Sequence, residues 1–297
     1  MGLWLIIYIE AYRMLNKVYI SRKFKEIDEY EARISKRLEK LDEYIEGRVK
    51  KFEIMDFKPK GMVADFGTGI GVDLISLSRL CSDIELVGID ITSKGLKTAK
   101  ELMSKEGKEF HLVRADILFL PFKDNVFDAI NFSGVLHHHP FSLLKRILEE
   151  ANRVAKENSQ ILIAEPSNRN ESYEFSREID NLWNGIVQLE KLSSIYNLKD
   201  LSKIGYDLHV FGYYGHIYPS ILKRLLENYG FKVKTRFVSE SLQMNEIIDK
   251  MRKNIESLIL DAGAKEYLVK RLEDIKEKYT MIKPPYKSTL YLKAVRN

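Results

Sequence analysis

The chain has 297 residues, of which 45% are hydrophobic, with a formal net charge of +5 and a single cysteine, Cys81. This composition is sufficient for a buried core and excludes an intramolecular disulfide. The apolar run at residues 3–9 is interrupted by Glu10 and is shorter than the ~20 residues that span a bilayer. No membrane span or secretory signal is therefore expected, and we predict a cytoplasmic protein.

Charges of both signs are interleaved along the predicted helices, for example at residues 36–43. This pattern is typical of a solvated helix face, whereas nucleic-acid binding requires basic side chains clustered in one patch. A nucleic-acid partner is therefore possible but not favoured.

Residues 1–57 are predicted to be helical, because apolar residues recur every three or four positions from residue 24 to residue 52. The sequence Pro59-Lys60-Gly61 ends that pattern. We therefore predict an N-terminal helical cap at residues 1–57 and a main domain at residues 58–297. The cap is either a packed helical layer or a lid over a bound ligand.

Strands and helices alternate in the first part of the main domain. Thr92 or Ser93 is the expected N-cap of the second helix of this region. Nearly continuous apolar strands, such as residues 161–164, are typical of a parallel sheet covered by helices on both faces. The predicted strands lie near 61–66, 85–90, 109–114, 127–133 and 160–165, and the predicted helices near 71–81, 93–106 and 141–156.

The C-terminal half of the chain carries two further strands, predicted at 231–238 and 288–295, and a helix at 219–229 that ends at Gly230. Helical insertions are expected at 167–216 and 239–287. The second of these is predicted to be helical over 242–281, with a break at 261–264.

A glycine-rich turn follows the first predicted strand. Gly67, Gly69 and Gly71 stand between an apolar strand and a helical pattern, and Asp90 ends the next strand. Glycine lets a ligand approach the backbone closely, and the start of a helix offers free N–H groups. A carboxylate about 20 residues further on suits the two hydroxyls of a ribose. These features predict a nucleoside-containing cofactor.

The order Asp-x-Gly-x-Gly-x-Gly, beginning at Asp65, resembles the first motif of class I S-adenosylmethionine (SAM) dependent methyltransferases. The stretches at residues 133–138 and 150–154 are similar to the small-molecule (type 11) branch of that family. A dinucleotide-binding turn would need a different glycine spacing, which argues against a dehydrogenase. The further matching stretches are Asp90-Ile91, Arg114-Ala115-Asp116-Ile117, Leu120-Pro121-Phe122, Phe127-Asp128-Ala129-Ile130, Ser133-Gly134-Val135-Leu136-His137-His138 and Glu150-Ala151-Asn152-Arg153-Val154.

The resemblance implies a doubly wound, seven-stranded mixed sheet of Rossmann-like methyltransferase type, with added helical cap segments. It also implies a set of SAM-binding residues: Asp65, Gly67, Gly69 and Gly71 at the methionine part, Asp90 at the ribose, Ile91, Asp116 and Ile117 at the adenine, and Ser133 beside the methionine and facing the substrate. The family commonly has Pro-Gly-Gly before its fifth strand, where this chain has residues 156–160. Asn158 is expected to make the same turn, because asparagine tolerates left-handed geometry.

Catalytic residues are not evident from the sequence. His138 aligns with a histidine of the family and is a candidate base, and Tyr214 and His216 lie in an aromatic segment that could line a pocket or pack in the core. No metal site is expected, because consecutive histidines such as residues 137–139 diverge in a regular element.

The function that these observations predict is transfer of the SAM methyl group to a small-molecule acceptor by direct in-line displacement. Such a reaction proceeds largely by proximity, and needs a base only where the nucleophile carries a proton. Two alternatives remain open, an RNA methyltransferase and a non-enzymatic SAM-binding protein. The sequence leaves the acceptor atom unidentified.

Overall fold

The computed structural model describes residues 30–31, 34–107, 110–139, 141–166, 175, 178–179, 182, 219–240, 243–257, 262–282 and 287–296. The strands are β1 Gly61–Phe66, β2 Ile84–Asp90, β3 Phe110–Arg114, β4 Phe127–Ser133, β5 Ala155–Pro166, β6 Phe231–Glu240 and β7 Lys287–Arg296. The helices are α1 Ile34–Leu38, α2 Leu41–Ile54, α3 Val72–Leu80, α4 Ser93–Met103, α5 Phe141–Val154, α6 Pro219–Asn228, α7 Met244–Glu256 and α8 Ala262–Lys278, with a 3-10 turn at Leu136–His138.

The seven strands form one sheet in the order β3-β2-β1-β4-β5-β7-β6. β1, β2 and β3 are parallel to each other, whereas β7 is antiparallel to both β5 and β6. The predicted seven-stranded mixed sheet with flanking helices is thereby confirmed. Its buried strands explain the apolar runs, since Val63–Phe66 of β1 and Val87–Asp90 of β2 are all buried.

The chain divides into two compact units. One contains Met1–Asn131 and Arg153–Ser159, and the other contains Phe132–Asn152 and Gln160–Asn297. In the first unit, Phe52 and Phe57 stack with ring centroids 5.8 Å apart. In the second unit, α7 and α8 share an apolar cluster that includes Ile248, Leu272 and Phe175. The predicted division at residues 57 and 58 stays a prediction, and most of the 167–216 insertion lies outside the described residues.

The predicted continuous helix from residue 24 to residue 52 is wrong in its described part. The helix is interrupted at Glu39 and Lys40, between α1 and α2. The N–H of Lys40 bonds to the carbonyl of Arg37, three residues back, which is the tight geometry of a helix end. The apolar spacing continues unchanged across this turn, so the sequence pattern carries no sign of it.

Two predicted backbone details agree with the structure. Asn158 has φ 61° and Gly230 has φ 83°, so both adopt the left-handed geometry that their positions require. The predicted break at 261–264 is wrong in its described part, because one helix ends at Glu256 and the next already begins at Ala262. No helix within the described ranges is both long and apolar enough to cross a membrane.

Candidate functional site

The glycine-rich turn connects β1 to α3 in the first unit. Gly67, Gly69 and Gly71 have φ values of 78°, 54° and 83°, a region that side-chain-bearing residues rarely adopt. Gly71 is the N-cap of α3, and no side chain caps that helix. The three glycines are therefore required by the backbone path, and Gly69 and Gly71 are buried.

Asp90 joins the glycine-rich turn to the start of α4. Its Oδ2 accepts the N–H of Gly69 at 2.8 Å, and its Oδ1 accepts both the N–H and the hydroxyl of Thr92 at 2.7 Å. Thr92 is the N-cap of α4 as predicted, but its hydroxyl bonds to Asp90 instead of to the helix backbone. A carboxylate offers about four lone-pair positions, so Asp90 retains capacity for a ligand hydroxyl.

Residues after β3 lie beside Asp90. The N–H of Ala115 donates to the carbonyl of Asp90 at 3.1 Å, and Arg114 Nε donates to the carbonyl of Ile91 at 3.1 Å. Asp116 Oδ1 accepts the N–H of Leu118, which shapes the following turn. The structure thus brings three of the predicted adenine and ribose contacts, Asp90, Ile91 and Asp116, to neighbouring strand ends. Ile117, in the same turn, is buried.

Asp65 lies at the carboxyl-terminal half of β1 and is almost completely buried. Its Oδ1 accepts a hydrogen bond from Asn131 Nδ2 at 2.7 Å, whereas its Oδ2 is buried without a hydrogen-bond partner in the described part of the chain. Burial, and then the charge of Asp73, raise the pKa of Asp65 to about 7, against the smaller lowering effects of Asn131, Thr68 and Lys51. The Thr68 hydroxyl lies near the carboxylate but, like Oδ2, makes no hydrogen bond of normal geometry within the described residues. An unsatisfied buried carboxylate oxygen is costly, and a ligand ammonium group would satisfy it.

A buried ion pair adjoins Asp65. Lys51 of α2 is 1% exposed and forms an ion pair with Asp73 in the first turn of α3, and its Nζ also donates to Asn131 Oδ1 at 3.3 Å. Arg48 Nε contacts Asp73 Oδ2 at 3.1 Å. Burial favours the neutral carboxyl, but Lys51 and Arg48 outweigh it and lower the pKa of Asp73. Burial lowers the pKa of Lys51 and so disfavours its charged form, whereas the charge of Asp73 favours that form. The charged pair is therefore maintained by the attraction between Lys51 and Asp73.

Tyr30 covers the glycine-rich turn. Its hydroxyl accepts the N–H of Ile70 at 2.9 Å, and a Cβ added at Gly69 would overlap that hydroxyl. The guanidinium of Arg37 lies 4.7 Å from the centre of the Tyr30 ring. Burial, opposed by Arg37, raises the pKa of Tyr30 to about 12, so the phenol remains protonated.

Glu31, the next residue, contacts the start of α4. Its Oε1 accepts the N–H of Lys94 at 3.0 Å, and its carbonyl accepts Lys94 Nζ at 3.1 Å. The described part of the N-terminal segment therefore touches both the glycine-rich turn and the helix that follows β2. Sequence analysis missed four residues of this site, Tyr30, Lys51, Asp73 and Asn131. A tyrosine at helical spacing is typical of a core residue, and charged residues on a helix are typical of a solvated face. Asn131 carries no motif that would mark it.

The second unit contains a separate polar cluster after β4. Glu165 of β5 is fully buried; its Oε1 accepts the N–H groups of Val135 and Leu136 at 2.9 and 2.8 Å, and its Oε2 contacts His137 Nδ1 at 2.7 Å. His138, the histidine predicted as a base, has its ring centroid 4.1 Å from that of His137.

Three further predicted residues are Ser133, Tyr214 and His216. Ser133 ends β4, is half-buried and belongs to the second unit. Tyr214 and His216 lie outside the described residues. Among the residues that the structure describes, no group of three or more histidine, cysteine or acidic side chains could hold a metal ion.

About a third of the chain is similar in sequence to a known methyltransferase. A demethylmenaquinone methyltransferase from Thermotoga maritima is 34% identical over 103 residues, which are 35% of this chain and 42% of that protein. The chain spans less than half the length of the curated relatives it matches.

Solved structures share the fold at low identity. The YcgJ protein from Bacillus subtilis has a TM-score of 0.55 at 15% identity, covering 86% of this chain and 99% of that one. The [4+2]-cyclase SpnF has a TM-score of 0.54 at 17% identity, covering 85% of this chain and 80% of that one. These similarities establish the Rossmann-like methyltransferase fold.

The family follows from a longer match. Residues 57–230, which are more than half of the chain, match the family described as a methyltransferase domain. This span contains the glycine-rich turn, Asp90 and the strand ends described above. The chain therefore belongs to the class I SAM-dependent methyltransferases.

Proposed function

We propose that this protein binds SAM in the first unit and transfers its methyl group to a small-molecule acceptor. The observation that carries the proposal is Asp65 Oδ2, a buried oxygen with no hydrogen-bond partner in the described residues, in the strand that leads into the glycine-rich turn. The amino group of SAM is a cation of the kind that such an oxygen requires.

The residues present fit the remainder of the cofactor. The turn at Gly67, Gly69 and Gly71 would lie against the methionine part, because glycine lets a ligand approach the backbone closely. The Tyr30 hydroxyl, which lies over Gly69, would have to shift to admit it. Asp90 would accept from the ribose hydroxyls with its remaining lone pairs. The adenine would be held by Ile91, Asp116 and Ile117, and Ser133 would lie toward the acceptor.

Bound SAM supplies an activated methyl on a sulfonium, so the protein's contribution is orientation and exclusion of water. Tyr30 and Glu31 support the second task, since both already contact the turn or the adjoining helix start. We propose that the N-terminal segment is a lid that closes over the cofactor.

The acceptor that we favour is an electron-rich, hydroxylated aromatic ring. The Thermotoga maritima relative is named for a demethylmenaquinone, although the similarity covers only part of both chains. A quinone ring is electron-poor and does not attack a sulfonium methyl, whereas its two-electron-reduced form carries two hydroxyls and is nucleophilic. The reduced form of a naphthoquinone is therefore the first acceptor to test.

The test is transfer of isotopically labelled methyl from SAM to reduced 1,4-naphthoquinone, to a small-molecule extract and to total RNA. We expect label in the small-molecule fractions and its loss in Asp65→Asn, with Asp249→Asn, an exposed aspartate of the second unit, as the matched control. Label in RNA alone would favour the RNA alternative. SAM binding without label in any fraction would favour the binding-only alternative.

A further inference from the structure

We propose that Lys51 is a positioning residue for the cofactor, which acts through Asn131 on Asp65; this rests on the proposed SAM binding. Lys51 lies in α2, Asn131 in β4 and Asp65 in β1, and all three belong to the first unit. Each of the three is at most 1% exposed. A buried path of hydrogen bonds thus runs from the N-terminal helical segment to the carboxylate that precedes the glycine-rich turn.

The ammonium of Lys51 determines which way the Asn131 amide faces. Lys51 Nζ donates to Asn131 Oδ1 at 3.3 Å, and an ammonium has three donors and no acceptor. The amide oxygen therefore faces Lys51, and the NH2 group faces Asp65, where Nδ2 donates to Oδ1 at 2.7 Å. A reversed amide would place its NH2 group against the Lys51 ammonium and its oxygen against a carboxylate oxygen.

This orientation favours the ionised form of Asp65. A carboxylate accepts the hydrogen bond of an NH2 group, whereas the proton of a neutral carboxyl finds no acceptor on that group. The contact also occupies Oδ1, so Oδ2 is the oxygen left for a ligand ammonium group. Asn131, Thr68 and Lys51 accordingly oppose burial and the charge of Asp73, which together raise the pKa of Asp65 to about 7.

A purely structural role for Lys51, as a link between α2 and α3, is the alternative. Other contacts already join these two helices, since Arg48 Nε contacts Asp73 Oδ2 at 3.1 Å and Ser76 Oγ donates to the carbonyl of Ile45 at 3.3 Å. The contact of Lys51 with β4 is not needed to hold one helix against the other. A buried ion pair also contributes little net stability, so this one is better explained by what it orients.

Lys51 reaches Asp65 by two routes, directly through space and through the Asn131 amide. The charged groups that act on Asp65 are Lys51 of α2 and Asp73 of α3, and the charge of Asp65 in turn acts on Tyr30 of the N-terminal segment. Burial raises the pKa of Tyr30 to about 12, so this phenol stays neutral while Asp65 titrates. The test must therefore separate the attraction of the Lys51 charge from its effect on the amide.

A double-mutant cycle makes this separation. Carbon-13 NMR of the aspartate carboxyls, with Asp65 assigned by the loss of its signal in Asp65→Asn, measures the Asp65 pKa in wild type, Lys51→Met, Asn131→Leu and the double variant. Attraction through space acts with or without the amide, so it predicts additive shifts. Action through Asn131 predicts that Lys51→Met raises the pKa by roughly one unit or more, and by clearly less in the Asn131→Leu background. Additive shifts would overturn the proposal.

The calorimetric Kd for S-adenosylhomocysteine is the functional readout. Near pH 6 the ligand must displace a proton from Asp65, so one further unit on that pKa weakens the Kd by roughly tenfold. We expect this loss in Lys51→Met near pH 6 and a smaller loss near pH 8.5, where the carboxyl is largely ionised. A merely structural role predicts an equal loss at both values, and that result would overturn the proposal. The exposed neighbour variant Lys50→Met should match wild type throughout.

A measurement on wild type covers the case in which Lys51→Met does not fold. Nuclear Overhauser contacts of the Asn131 side-chain amide protons report which way the amide faces. Stronger contacts to the Asp65 Cβ protons, with an amide signal that moves as Asp65 titrates, support the proposal, whereas stronger contacts to the Lys51 Cε protons would overturn it. These NMR measurements use ligand-free protein, so their outcome is separate from that of the proposed function, which fails if wild type binds neither SAM nor S-adenosylhomocysteine.

Discussion

Asn131 holds one oxygen of Asp65 at 2.7 Å and leaves the other oxygen of that carboxylate buried without a partner in the described residues. This asymmetry connects the fold to the proposed cofactor chemistry. The hydrogen bond from Asn131 fixes the carboxylate in place, while burial and then the charge of Asp73 raise its pKa and outweigh the opposing charge of Lys51. A ligand cation at the unsatisfied oxygen would favour the ionised form.

The affinity for SAM should rise with pH up to about 7. Because the pKa of Asp65 is raised to about 7, an incoming ammonium must displace a proton below that pH. Affinity should then fall by up to ~tenfold for each pH unit below 7. Calorimetry in two buffers of different ionisation heat would measure both the affinity and the proton release. Asp65→Asn should bind more weakly with a flat profile on the acidic side, and a flat wild-type profile would contradict the assignment.

Asp65→Asn should stabilise the protein at alkaline pH. A carboxyl whose folded pKa exceeds its unfolded value of ~3.9 loses stability as pH rises from about 4 to about 7. A shift of about three units corresponds to at most ~4 kcal/mol at pH 8. Urea unfolding of both proteins near pH 4 and pH 8, without ligand, should therefore show the gain only at pH 8. An equal effect at both values would refute this.

Lys51→Met should destabilise the first unit strongly. It leaves the buried Asp73 with Arg48 as its remaining cation among the contacts described, and breaking a buried pair costs ~3–5 kcal/mol. The double variant Lys51→Met with Asp73→Leu should recover part of that loss, because the Asp73 charge is then no longer left buried without Lys51. Urea unfolding midpoints, with the exposed Lys50→Met as control, measure this, and a double variant less stable than Lys51→Met would count against it.

Gly69→Ala should impair SAM binding far more than Gly107→Ala. Both glycines have positive φ, 54° and 65°, so both variants carry a backbone strain of ~1–2 kcal/mol. A Cβ at Gly69 overlaps the Tyr30 hydroxyl, whereas a Cβ at Gly107 meets nothing within 4 Å. We expect at least a ~tenfold weaker Kd for the first, equivalent to ~1.4 kcal/mol, and an unchanged Kd for the second. Equal Kd values for the two variants would contradict the placement of the SAM site at the glycine-rich turn.

Tyr30→Phe should expose the Ile70 amide. The phenol oxygen is the acceptor for that N–H at 2.9 Å, and its loss should cost ~1 kcal/mol. Amide hydrogen exchange at Ile70 should accelerate in the ligand-free protein, with Tyr44→Phe, an exposed tyrosine of α2, as the control. Unchanged exchange at Ile70 would show that the N-terminal segment does not cover the turn in solution.

The part of the fold that could be predicted is the part that depends on local pattern. Strand and helix periodicity, the three glycines and Asn158 each report a backbone geometry set within a few residues. The helix interruption at Glu39 and Lys40 could not be predicted, because the apolar spacing runs through it without change.

The site was predictable only where a motif marks it. The Lys51–Asp73, Ile70–Tyr30 and His137–Glu165 contacts join residues 22, 40 and 28 positions apart. Each of these residues has an ordinary explanation in its own segment, as a solvated charge or a core aromatic. Only the folded chain shows that they meet.

The most direct test of the central claim is a crystal structure of the protein with S-adenosylhomocysteine. The account predicts the ligand amino group within hydrogen-bond distance of Asp65 Oδ2, the ribose hydroxyls on Asp90 and the adenine beside Ile91 and Asp116. A ligand bound elsewhere, or one that leaves Asp65 Oδ2 still without a partner, would contradict it.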